Sequence, residues 1–98
     1  MKNEAQTEQE ILSKGLNAPR LTPSLIDSKI EREEYAVFGL TTVCCLTLAN
    51  GFTVVGDSAC VSPANFNAEI GRSVAREKAR EKIWQLEGYL LKQRLSEA

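Results

Sequence analysis

Histidine is missing from this 98-residue chain. That removes the commonest general base and the commonest metal ligand together. Cysteine is scarce and odd in number, at three. Two are adjacent (Cys44, Cys45) and none has C-x-x-C spacing, so no disulfide framework is expected and a reducing cytosol is. No apolar run approaches the ~20 residues of a membrane span. The opening MKNEAQTEQE is polar and acidic, unlike a secretory signal. An excess of one charge is lacking too. Twelve basic residues face 13 acidic ones, for a net charge of −1, so no global field draws nucleic acid or an acidic membrane surface. Gly-rich phosphate loops, metal-ligand clusters and nucleophile–base pairs are all absent. The chain is therefore expected not to be an enzyme, with no catalytic residue, metal or cofactor.

What is present predicts one small α+β domain. Residues 1–21 read as a flexible arm, with a short helix through Gln9 to Lys14 stopped by Gly15, and a closing corner at Asn17-Ala18-Pro19-Arg20. Residues 22–98 read as a single αββα unit. Thr22-Pro23 has the capping hydroxyl and first-position proline of a helix start. Leu25, Ile26 and Ile30 share a face, which predicts a helix to about Glu34. Tyr35 to Leu40 then crosses into a sheet.

Thr41–Ala49 and Phe52–Cys60 read as the two strands of an antiparallel hairpin. Asn50-Gly51 between them is the signature of a type I′ turn. That turn would pair Ala49 with Phe52, Thr47 with Val54, Leu46 with Val55 and Cys44 with Asp57. In this register both faces carry apolar residues: Phe52, Val54, Val43 and Cys45 on one, Leu46, Leu48 and Val55 on the other. A two-stranded ribbon cannot cover both, so completion by homo-oligomerisation is expected.

Ser62 with Pro63 could open the next helix, or Asn65 could cap one beginning at Phe66; Asn65 is preferred. The helix then runs to about Leu95. Gly71, Ala75 and Ala79 form a small-residue stripe that would let the hairpin backbone come close. Beyond it, Ile83, Trp84, Leu86, Leu90, Leu91 and Leu95 broaden the apolar surface past what the chain itself can cover. Gly88 marks a point of possible bending.

Binding residues are sought at the corner and on this helix. Arg72 and Arg76, one turn apart, would present two guanidinium forks to an anion. Asn65 sits at the helix start, where free N–H groups favour anions, with Asp57 and Ser58 close by in sequence. Each has a plainer role: self-paired solvated charges, a cap, an exposed strand end. Phe52, Val54, Trp84, Tyr89 and Leu91 are the candidate oligomer or partner interface. Cys44, Cys45 and Cys60 read as small apolar side chains.

The run TLANGFTVVGDSACVSPANFNAEIGRSVAREKAREKIWQLEGYLL, with its NGFxVVGxSAC and PANFxxEIGRxxAxxxAxxKIW patterns, resembles a family of small tailed-phage proteins, the gene-product 49 / gene 66 family. APRLTPSLIDSKI and REEYAVF resemble its N-terminal half, so the likeness covers about Ala18 to Leu95. Ser62 departs from it where an Asp is expected before the proline; either residue can cap. The resemblance implies a bacteriophage origin and a host bacterial cytoplasm, and supplies no activity.

By analogy, small non-structural phage proteins often act against the host. Two readings follow. In the first, a counter-defence binding module sequesters a small anionic, nucleotide-derived signalling molecule as a homo-oligomer, through Asp57, Ser58, Asn65, Arg72 and Arg76. In the second, a protein–protein inhibitor docks on a host or defence protein through the long C-terminal helix. Neither needs nucleic acid or a membrane.

Overall fold

The computed structural model describes residues 3–16 and 18–98. Asn17 of the arm's closing corner and the first two residues lie outside them. The order is α1 (Glu4–Ser13), α2 (Pro23–Ser28), β1 (Ile30–Phe38), β2 (Thr41–Leu48), β3 (Thr53–Ala59), a 3-10 turn (Pro63–Asn65) and α3 (Ala68–Ser96). The strands form one antiparallel sheet in the order β1-β2-β3, and α3 lies across one face of it.

The N-terminal helix begins earlier than Gln9. Asn3 and Gln6 form a reciprocal capping box: the Asn3 side chain accepts from the Gln6 N–H (2.8 Å) and the Gln6 side chain from the Asn3 N–H (2.9 Å). The second helix starts as its sequence predicts, with Thr22 Oγ accepting from the Leu25 N–H at 3.1 Å.

That helix stops at Ser28, not Glu34, and the next nine residues form a strand. The sheet therefore has three strands, where the sequence predicts two. The reason is local. A helix ending in Glu31, Glu33 and Glu34 would set carboxylates against its negative end. As a strand the same residues alternate. Arg32 and Glu34 pair on one face (2.8 Å) while Glu33 reaches Arg76 from the other (2.9 Å). Gly39, at φ 61°, takes the first central position of the two-residue Gly39-Leu40 turn, the requirement of a type II′ hairpin.

The second hairpin turns where expected but in a different register. Asn50 has no positive φ; only Gly51 does, at 90°. The loop has three residues, Ala49 to Gly51, closed by Leu48 N–H to Phe52 O (2.8 Å) and Gly51 N–H to Leu48 O (2.9 Å). Pairing becomes Thr47 with Thr53, Leu46 with Val54 and Cys44 with Gly56, one residue from the type I′ prediction. A one-residue slip exchanges faces. Here it unites the core set: Cys44, Leu46, Leu48 and Val54 all turn inward, with Ile26, Ala75, Ala79 and Ile83. The expected assignment of Val54 to one face and Leu46 and Leu48 to the other is thereby corrected. The outer face keeps a smaller apolar set, in which Phe38 and Val55 are exposed.

The small-residue stripe on α3 does what its spacing predicts. Ala75 and Ala79 are fully buried over Gly56. A methyl group on Gly56 would collide with the Ala75 carbonyl oxygen and the Ala79 amide nitrogen, so the helix rests backbone-on-backbone against β3. Its cap is Asn67, two residues later than predicted, which accepts from the Ile70 N–H at 3.0 Å. Asn65 instead ends the 3-10 turn that leads in. The helix continues through Gly88, where Leu21 packs. At ~1.5 Å per residue its 29 residues reach about 43 Å, whereas an eight-residue β2 spans about 26 Å. The last three turns overhang the sheet.

Two charged features tie the periphery down. Arg80 is only 5% exposed. It binds Glu4 of α1 with both Nη atoms (2.7 and 2.9 Å) and Asp27 of α2 with Nε (2.7 Å), which raises its pKa beyond the ordinary arginine value. Along β3, Leu48 N–H to Phe52 O and Cys60 N–H to Leu40 O set the ladder's phase. Thr53, Val55, Asp57 and Ala59 therefore turn their backbone groups to the free edge. Lys82 reaches over from α3 and donates to the Val55 carbonyl.

Candidate functional site

Three surfaces surround α3. At its head, the end of β3, the 3-10 turn and the first helical turn enclose a cleft of about 180 Å³. Thr42, Ser58, Asn65 and Asn67 bring hydroxyls and amides to it; Phe66 and Ile70 are its larger apolar walls. The predicted pair Ser58 and Asn65 meets here. Asp57 does not join them, because strand alternation turns it away. It lies in a groove on the β3 edge with Lys78 and Lys82.

Arg76 sits on the β1 side of the same helical stretch. Arg76 is ion-paired: its Nε donates to Glu33 Oε2 at 2.9 Å, and Tyr35 OH donates to Glu33 Oε1 at 2.8 Å. These two donors, Arg76 first, hold the Glu33 carboxyl below its ordinary pKa. Burial and the Glu33 hydrogen bond push the Tyr35 hydroxyl well above its usual range. Arg72, one turn nearer the helix start, is exposed and has no ion pair among the described residues. It follows directly on Gly71, whose Cα faces Thr42.

Thr42 is a residue that its sequence does not single out. It is 1% exposed, and its Oγ has no hydrogen-bond partner among the described residues. A buried hydroxyl left alone costs about 1–3 kcal/mol. Its place beside the cleft follows from the β2–β3 register, which the turn signature misassigns.

At the tail of α3, a larger groove of about 720 Å³ runs between the β2–β3 turn and the overhang. Leu48, Phe52, Leu86, Tyr89 and Leu90 line it, with Lys29 and Arg94 among its charged residues. Of the predicted interface residues, Phe52 and Tyr89 meet in it, 56% and 72% exposed. Val54 is 4% exposed and belongs to the chain's own core, because the register turns it inward; Trp84 packs against that core. Leu91 is half-buried and does not line the groove.

Among the described residues, no group of three or more His, Cys, Asp or Glu side chains could hold a metal ion, and no helix is long and apolar enough to cross a membrane.

The fold defines a class: a three-stranded antiparallel meander roofed by one long helix, with a small cleft at the helix's head and a larger groove at its tail. The chain belongs to the Phage protein (N4 Gp49/phage Sf6 gene 66) family, which matches residues 21–95. This is the phage family that its motifs resemble. The match spans α2 to the end of the α3 overhang and leaves α1 outside. No curated protein and no solved structure matches the chain.

Proposed function

We propose that this phage protein is a non-catalytic counter-defence module that sequesters a small anionic, nucleotide-derived signalling molecule in the host cytoplasm. One observation carries the reading: Arg72, an exposed guanidinium without a carboxylate partner among the described residues, stands near the positive end of a 29-residue helix, directly after Gly71 of the cleft that holds Ser58 and Asn65. Guanidinium forks and helix N-termini both favour phosphate. Arg76 adds charge from the next turn, moderated by Glu33. Binding of this kind needs no acid–base pair or metal. In this proposal the protein works as a homo-oligomer, with the outer sheet face around Phe38 and Val55 meeting a second copy.

The test is calorimetry with a panel of nucleoside phosphates and cyclic nucleotides against wild type and Arg72→Glu, backed by native mass spectrometry after incubation with infected-cell extract. At least one panel member should bind wild type, and the charge reversal should weaken it at least tenfold with the fold intact. Equal affinity in the variant, or no bound mass of nucleotide size, would remove the reading.

The tail groove favours a second reading, in which α3 inhibits a host or defence protein. Its support is the exposed Phe52–Tyr89–Leu90 cluster. A complex from host lysate that depends on Tyr89 and Leu90, with no small-molecule binding, would put this reading first.

A further inference from the structure

We propose that the cleft at the head of α3 is a sugar subsite, with the Thr42 hydroxyl as the buried group that reads a ribose hydroxyl. The inference rests on the nucleotide reading above and assigns that ligand's parts. Three observations lead to it. The first is size. At about 180 Å³ the cleft is smaller than the roughly 300–1,000 Å³ of whole-ligand pockets, so it takes one portion of a ligand.

The second is charge. The lining holds hydroxyls, amides, the Cys60 thiol and apolar groups, and no Asp, Glu, Lys or Arg. A phosphate inside would have only the helix start to offset it. A sugar is neutral, and its hydroxyls donate and accept at once. That matches the amides of Asn65 and Asn67 and the hydroxyls of Ser58 and Thr42. The third is Thr42 itself, 1% exposed with an Oγ that no group among the described residues satisfies. Buried polar groups are normally paired, so this one calls for a partner from outside. Gly71, which also lines the cleft, lets the hydroxyl sit close against α3: a methyl there would stand 2.8 Å from Thr42 Oγ. The phosphate then lies outside the cleft, on Arg72.

The experiment uses the full chain, isotope-labelled at threonine methyls and backbone amides, titrated by NMR with D-ribose 5-phosphate, 2-deoxy-D-ribose 5-phosphate and inorganic phosphate. Variants are Thr42→Val, which removes the hydroxyl while keeping the shape, Thr42→Ser, which keeps the hydroxyl, and Arg72→Glu. Ribose 5-phosphate should shift the Thr42 methyl and the Asn65 side-chain amide, and phosphate alone should leave both unmoved. Thr42→Val should bind ribose 5-phosphate at least tenfold more weakly, with phosphate affinity unchanged, and Thr42→Ser should restore most of the loss.

If Thr42→Val binds ribose 5-phosphate as wild type does, the sugar subsite is overturned, while an Arg72-dependent affinity in the same titration leaves the anion reading standing. A more stable Thr42→Val protein with unchanged binding would mean that the hydroxyl held only a water, which also overturns the subsite. If neither sugar phosphate nor phosphate binds, the subsite and the Arg72 site fall together.

Discussion

The two halves of α3 are one continuous helix under different rules. In the first half the contact residues are Gly71, Ala75 and Ala79, and the helix meets the sheet so closely that Gly56 has room for no side chain. In the second half the residues are large, and Leu86, Tyr89 and Leu90 remain 38–72% exposed beside the Phe52 ring. Small residues give proximity, and proximity leaves no apolar surface uncovered at the contact. Large residues beyond the end of the sheet give apolar surface without a cover. The head therefore packs tightly on the sheet and offers its polar cleft, while the tail offers apolar surface.

The strongest way to break this contrast is Gly56→Ala. The added methyl meets the backbone of α3 at Ala75 and Ala79, which cannot move aside like a flexible side chain. The expected loss is at least about 3 kcal/mol, read from the urea midpoint. A loss under 1 kcal/mol would show that the helix is not seated as described.

A smaller effect tests the charged margin of the head. The folded-state pKa of Glu33 is depressed from its ordinary value of 4.5 by Arg76 and Tyr35. Its contribution is complete above that value and is lost as pH falls through the lowered one. The pair is about one-third exposed on each side, so the contribution is about 0.5 kcal/mol. Glu33→Gln should lie below wild type at neutral pH and converge with it in acid, in urea melts taken from pH 7 downward. Parallel pH curves would show that the pair contributes nothing to stability.

The smallest effect belongs to the tail. Tyr89→Ser combined with Leu90→Ser should change stability by no more than about 0.5 kcal/mol. A larger loss that grows with protein concentration would instead place these side chains between copies of the chain.

These contrasts were unevenly legible in the sequence. The stripe at Gly71, Ala75 and Ala79 is a pattern within one helix, and it predicts its own contact. Thr22 caps α2 as its sequence predicts, while the α3 cap moves: Asn67 takes over from Asn65 because Pro63 and Ala64 are used in a 3-10 turn first. The first strand was obscured by charge, since Glu31 to Glu34 reads as the solvated end of a helix. Its visible marker is Gly39, flanked by Phe38 and Leu40. The second hairpin was located but not registered. Asn50-Gly51 permits a loop of two residues or three, and only burial of Val54 with Leu46 decides between them.

Site residues inherit that uncertainty. Ser58 and Asn65 come together from neighbouring segments. The pairings of Thr42 with the cleft and of Arg80 with Glu4 and Asp27 depend on tertiary packing that no local pattern encodes.

The lysine bridge from α3 to β3 has a consequence for how the protein meets other chains. A strand at the rim of a sheet is a template, and an unfolded segment drifting past can add itself by borrowing the outward carbonyls and amides. Lys82 occupies the Val55 carbonyl near the middle of that rim, and its charge follows it there. An incoming strand finds a central rung of the ladder taken and an ammonium in its path. The same helix that closes the core thus guards the β3 border of the sheet against unwanted extension.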